Sequence, residues 1–229
     1  MGGQEKAGEE LRKIFEAMEF MNPDDIPGID LYMDQVTTFM DERMRHLTRD
    51  PETDKILTKT MINNYVKNKV LIPPVRKKYG RDHILLLIFI YYLKNILSLE
   101  DIKTILDPIS QAYAFPTTNP EDSPERQAEI ASARKKKLPV PEMKEPDLTV
   151  TEIYQKIFAD AAERVEKVME DCGEQIDLAF RSFSDLPEEE AEPLRYFDLI
   201  CMMSAEIYMK KLFVERLIDS LIREEKDKK

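Results

Sequence analysis

The seven residues from Ile84 to Ile90, ILLLIFI, contain no polar side chain, and this run restricts the fold more than any other part of the chain. On a helix over Asp82 to Ile96 it gives an element apolar almost all round, which has to be covered on more than one side. Either the C-terminal region or a second copy of the chain must supply that cover. Counted through Leu93 the run is about half the ~20 residues a membrane span needs, so the expectation is a core helix and no membrane anchor.

Immediately before it the charge inverts. Lys55 to Arg81 holds six lysines and two arginines with no Asp or Glu, in a chain of formal net charge -11. A surface that meets an anion requires this, because each phosphate contact made by Lys or Arg would be opposed by a neighbouring carboxylate. Thr58 is placed to cap a helix starting near Lys59, with Met61, Ile62, Tyr65 and Val66 on one side at spacings of three and four. Lys59, Thr60, Asn63, Asn64 and Lys67 then face outward, and these are side-chain types that hydrogen-bond to base edges and phosphates in a major groove. Pro73 and Pro74 are expected to stop the helix. Val75 to Arg81, with Arg76, Lys77, Lys78, Tyr79 and Arg81, suits a short basic wing along a phosphate backbone. A solvated basic helix and loop is the alternative.

The run LIPP at Leu71 to Pro74, KKYGRDH at Lys77 to His83, and SLEDIKTIL at Ser98 to Leu106 resembles the winged helix-turn-helix head of MerR-type bacterial regulators. LTKTMINNYVKNKVLIPP with KKYGRDHI is similar to an uncharacterised bacterial family, domain of unknown function 1836. The resemblance covers Ile29 to Leu106 and implies a recognition helix, a basic wing and two further helices. Where MerR recognition helices carry Arg-Tyr-Tyr, this chain has Asn63, Asn64 and Tyr65, so Asn63 or Asn64 stands in the arginine's place. The join between the first two helices is stretched across His46 to Asp54. It either re-aims the first helix or loops out.

The rest of the chain reads as helical. Glu5 to Met21 is amphipathic through Leu11, Ile14, Phe15 and Met18, and NPDDIPG at Asn22 to Gly28 breaks it. Ile29 to Met44 resumes helical spacing, with Asp30, Asp34, Asp41 and Glu42 expected on the side away from DNA. Ser98 and Asp101 form a near capping box for a helix that should end before Pro108. Gln111 to Asp147 carries six prolines and few apolar residues and reads as an extended or disordered linker, with a basic run at Arg134 to Lys137. Thr149 and Glu152 cap a long helix to Phe183, continuous if Gly173 does not break it, and Leu194 to Ile222 follows as a second. The expected division is a docking helix and turn at 1–28, a MerR-like winged helix-turn-helix domain at 29–110, a linker at 111–147 and a helical hairpin at 148–229. The fold class is all-α, mainly helical.

Cys172 and Cys201 lack a CxxC spacing, so neither a disulfide framework nor a zinc motif is indicated, and a reducing cytoplasm is the expected location. His83 has no second ligand nearby in sequence and reads as structural. No Gly-rich phosphate loop, nucleophile elbow or His/Cys constellation appears, so no catalytic residue, metal or cofactor is expected and the chain is not read as an enzyme. The expected function is a DNA-binding transcriptional regulator. Lys59, Thr60, Asn63, Asn64, Lys67, Arg76, Lys77, Lys78, Tyr79 and Arg81 are its contact residues, the partners are duplex DNA and a second copy in a homodimer, and nothing identifies an effector. The alternative is a non-enzymatic protein-interaction module whose basic face meets an acidic partner.

Overall fold

The structure is a computed structural model that describes residues 2–140 and 148–227. It is mainly helical, with two short strands, and divides into two compact units: Met21–Ile157, and Met1–Phe20 together with Phe158–Lys229.

In the first of these units the chain passes through β1 (Leu31–Tyr32), α2 (Met33–Met44) and α3 (Lys59–Lys67). It continues through β2 (Lys78–Tyr79), α4 (Arg81–Leu93), α5 (Leu99–Tyr113) and α6 (Pro124–Lys136). β1 and β2 pair antiparallel, Leu31 with Tyr79 and Tyr32 with Lys78. The helix expected from Ile29 therefore begins four residues later, because Leu31 and Tyr32 are drawn into a ladder with a segment far along the chain. α4 is the axis of the unit, with Ile84 to Tyr91 all buried. Part of its cover comes from the start of the long helix α7 (Val150–Arg181), where Tyr154 lies edge-on to Phe89 at 5.5 Å. The Tyr154 hydroxyl also donates to the Met21 carbonyl at 2.9 Å. The C-terminal region thus supplies cover that the apolar run requires.

The stretch joining α2 to α3 is compact. The Asp50 carboxylate accepts from the Glu52 amide at 3.0 Å and the Thr53 hydroxyl at 2.6 Å, and Ile56 and Leu57 return to the core. The Lys94 ammonium donates to the Ile56 carbonyl at 2.8 Å, tying the end of this insertion to α4.

The segment read as a linker is largely built into this unit. α5 continues through Pro108 to Tyr113, although a proline removes one helical hydrogen bond. Ser123 caps α6 by accepting from the Arg126 amide at 3.3 Å, Pro124 fills the first helical position, and Lys137 closes the helix in a left-handed conformation. Pro141 and Pro146 lie outside the described residues. Between α5 and α6 the backbone of Thr117 and Thr118 passes so close to Gly80 that a Cβ there would sit 2.6 Å from the Thr118 nitrogen. Glycine is needed at this point for the approach. Three hydrogen bonds hold the crossing: Thr118 N–H to Asp30 at 2.7 Å, Arg81 N–H to the Thr118 hydroxyl at 3.1 Å, and Phe115 N–H to Asp82 at 2.8 Å.

The second unit contains α1 (Gly3–Glu16), the later part of α7 and α8 (Glu188–Asp227). α1 ends five residues before the expected Met21. α7 has 32 residues, about 48 Å, and Gly173 does not interrupt it. α8 starts earlier than Leu194 and runs through Pro193, its acidic first turn lying where a helix N-terminus favours negative charge. Ile176, Ala179 and Leu199 form a core, with Ala7, Leu11, Phe180, Met202 and Met203 packed around it. α1 thus completes a three-helix arrangement in which Tyr196 donates to the Gly3 carbonyl at 2.8 Å.

Candidate nucleic-acid interface

α3 is fixed at both ends by local chemistry. At its start the Thr58 hydroxyl accepts from the Met61 amide at 3.2 Å. At its end Lys69 turns left-handed (φ 58°), while the Val70 amide donates to the Tyr65 carbonyl at 2.8 Å and the Lys69 amide to the Val66 carbonyl at 3.1 Å. This is the Schellman closure, which glycine normally serves. The helix therefore stops at Lys67, ahead of Pro73 and Pro74. Ile62 and Tyr65 are buried, and Lys59, Thr60, Asn63, Asn64 and Lys67 are exposed along the other side.

A two-residue hairpin follows. The amides and carbonyls of Val75 and Lys78 exchange hydrogen bonds at 2.9 and 3.1 Å, and Arg76 and Lys77 form the tip with φ of 50° and 65°. Positive φ at both central positions is the type I′ turn, whose favoured residues are Asn and Gly. An L-residue with a full side chain gives up roughly 1 kcal/mol in this region. Within Lys55–Arg81, then, each left-handed position carries a basic residue: Lys69, Arg76 and Lys77.

These cations differ in how free they are. Lys67, Lys69, Arg76 and Lys77 are exposed, and none makes an ion pair with another described residue. Lys59 pairs with Asp34, so this carboxylate stands at the start of α3 and not on the far side of α2. Both side chains are well exposed, so the pair is weak. The Lys78 ammonium sits 5.0 Å from the centre of the Tyr32 ring, its cross-strand partner. Asn64 is engaged as well: its side-chain oxygen accepts from the Asn68 amide at 2.8 Å. That leaves Asn63 with the free amide.

Two expected contact residues are turned inward. Tyr79 is 3% exposed and packs edge-on against His83 with ring centres 5.2 Å apart. Arg81 donates to the Pro23 carbonyl at 2.6 Å and lies 3.5 Å from Asp24, so its guanidinium braces the turn before β1. Conversely, Lys69 and the exposed Tyr32 were not among the expected contacts, yet both border the basic surface. Lys69 lay in plain view within the basic stretch. Tyr32 comes into play only through the β1–β2 pairing.

His83, under this surface, accepts from the Gly80 amide at 3.1 Å, and burial lowers its pKa from 6.5 to about 4. The imidazole is a structural acceptor that orders the start of α4. Burial also raises the Asp82 pKa to about 6, against the opposing pull of the Phe115 amide and the Arg81 charge. Among the described residues no group of three His, Cys, Asp or Glu side chains is arranged to hold a metal ion. No helix among them is long and apolar enough to cross a membrane.

Residues 21–123 match a family model described as Domain of unknown function (DUF1836). No curated protein and no solved structure matches the chain. The matched segment begins where the Met21–Ile157 unit begins and ends at Ser123, the cap of α6. It therefore includes α3, the hairpin, α4, α5 and the Thr117–Thr118 crossing against Gly80, which together form the frame that presents the basic surface.

Proposed function

We propose that the chain binds duplex DNA through α3 and the Val75–Lys78 hairpin, as a regulator of transcription with a winged helix-turn-helix head of MerR-like type. The observation that carries this reading is the placement of Lys69, Arg76 and Lys77 in left-handed backbone, where glycine or asparagine would be cheaper. Conformations that local energetics disfavour persist where function uses the side chain. A purely structural hairpin would have no need of cations at its tip in a chain with a net charge of -11.

In this reading α3 enters the major groove. Thr60 and Lys67 meet phosphates, Lys59 exchanges its exposed partner Asp34 for one, and Asn63 makes the bidentate amide contact that suits adenine. Arg76 and Lys77 grip the backbone from the wing, with Lys78 and Tyr32 behind them, while Tyr79 and Arg81 hold the frame. The test is fluorescence anisotropy with a random duplex across a salt series, comparing the native chain with Lys67→Ala and Lys77→Ala. A duplex binder loses affinity steeply with salt, and each lysine removed flattens the slope by about 0.9. Lack of duplex affinity at low salt would leave the other reading, an adaptor whose basic face meets an acidic protein. The Lys59–Asp34 pair lends that alternative weight, since it shows this face already engaging a carboxylate.

A further inference from the structure

Two cavities flank the segment at Ile72 and Pro73, one of about 690 Å³ against the end of α3 and one of about 760 Å³ beside the hairpin. Ile72, Pro73 and Gln111 line both, so the two are neighbours along one groove between this segment and α5. Each has the size that holds a small organic molecule. The wall is apolar over much of its length, through Val66, Val70 and Ile72 at one end and Val75, Ala114 and Phe115 at the other. Pro73, Pro74 and Pro116 carry no amide hydrogen, so the backbone there offers a ligand no donor.

Charge is divided between the two cavities. Lys67, Lys69 and Lys103 line the first with Asp107 as its one carboxylate, whereas Asp122 and Glu125 line only the second, with Arg76. Lys67 and Lys69 make no ion pair with another described residue, and Lys103 reaches Asp107 only at 4.0 Å, a long contact between partly exposed side chains. An apolar wall focuses the field of such like charges into the space between them. Ser110 belongs to the same wall, and its hydroxyl oxygen is buried without a hydrogen-bond partner among the described residues. A buried hydroxyl left unpaired costs free energy that a ligand acceptor reaching it would recover.

We propose that this groove binds an amphipathic organic phosphate, with the phosphate group among Lys67, Lys69 and Lys103 and the apolar body laid over Pro73 toward Val75 and Phe115. Three ammonium groups less one carboxylate leave a charge of about +2 in the first cavity, which a phosphate monoester matches at about −1.5 to −2 near pH 7. Inorganic phosphate would leave the apolar wall open to water, and an apolar cation would meet the lysines. Lys67 and Lys69 also belong to the basic surface of α3, so a bound phosphate competes with duplex DNA. That consequence rests on the function proposed above, whereas the site itself does not.

The test is isothermal titration calorimetry of the full chain with octyl phosphate, kept below its micelle-forming concentration. One octyl phosphate should bind per chain, at least about tenfold more tightly than inorganic phosphate or octyltrimethylammonium. Lys103→Gln should weaken it about tenfold and Lys103→Arg should restore it, with thermal unfolding by circular dichroism unchanged. Lys103 lies on α5, outside the duplex-facing residues, so Lys103→Gln should keep the native affinity for duplex. Octyl phosphate should displace a labelled duplex from the native chain and need about tenfold more to do so from Lys103→Gln. Octyl phosphate that binds no better than inorganic phosphate, or equally well to Lys103→Gln, overturns the site. Equal binding of octyltrimethylammonium also overturns it, since the groove would then read apolar surface alone. Binding of the expected kind without displacement of duplex refutes the shared use of Lys67 and Lys69. If octyl phosphate binds as described while no duplex binds at low salt, the site stands and the duplex reading alone fails.

Discussion

Replacing Arg76 by Asn and Lys77 by Gly would separate what the hairpin tip contributes to the fold from what it contributes to binding. Both residues sit at φ above +45°, at 50° and 65°, in a two-residue turn whose preferred sequence is Asn-Gly. Relieving two side chains of roughly 1 kcal/mol each is partly offset by the greater freedom glycine gives the unfolded chain. The net expectation is a stabilisation of about 1 kcal/mol. For a chain of this size that raises the melting temperature by about 2–4 °C, readable by circular dichroism or differential scanning fluorimetry. Under the proposed function the same double variant removes two phosphate contacts. Duplex affinity should fall roughly tenfold at low salt, and the slope of log K against log salt should flatten by about 1.8. A more stable protein that binds worse is the signature of a conformation retained for its side chains. If the melting temperature rises while affinity and salt slope stay unchanged, the tip does not touch the duplex and the central argument for the function fails. If the melting temperature falls, the left-handed residues carry no strain and the premise itself is wrong.

Other consequences follow from the same structure. Asn63→Ala should change which duplexes are selected from a random library, whereas Asn64→Ala, whose side chain is held by Asn68, should leave the selected sequence unchanged; the reverse outcome would reassign the base-reading amide. Gly80→Ala should destabilise the Met21–Ile157 unit by about 1–3 kcal/mol in a denaturant titration, because the Cβ meets the Thr118 backbone, and a neutral result would mean the crossing shifts freely. The Asp82 pKa is raised to about 6 from 3.8, so its contribution to stability is fully present below about pH 4 and is lost as pH rises through 6. His83 acts in the opposite sense: lowered from 6.5 to about 4, it contributes above pH 6.5 and the contribution is lost as pH falls through 4. The two effects, each up to about 3 kcal/mol, nearly cancel between pH 7 and 4. Asp82→Asn should therefore stabilise the chain at pH 7 by on the order of 2–3 kcal/mol and leave it more sensitive to acid, as followed by urea midpoints against pH. Equal midpoint shifts for variant and native chain across that range would refute the assignment.

Much of this architecture could be read from local sequence. The Thr58 cap of α3, the Ser98–Asp101 box of α5 and the Thr149–Glu152 box of α7 are all in place, because each depends on a side chain and groups three residues further on. The outward face of α3 follows from the same short spacing. What escaped the sequence depends on distant partners. β1 exists only through its pairing with Lys78 and Tyr79. Tyr79 and Arg81 look like wing residues until His83 and the Pro23 carbonyl are brought beside them. The Pro-rich composition of 111–147 hid α6, although the Ser123–Pro124 pair is a helix start by the ordinary rules. Proline content described the average of that segment, while Gly80, Asp30 and Asp82 decided its path.

Because α3 is tied at Thr58 and again by the turn at Lys69, it is folded before any ligand arrives. If α3 binds duplex DNA as proposed, association requires no ordering of the helix, so the heat-capacity change on complex formation should reflect contact area alone, without the larger signal of coupled folding. A nine-residue helix could not hold itself together in isolation. Its rigidity belongs to the frame beneath it, and a peptide cut to its length should be unstructured and bind only as a string of charges.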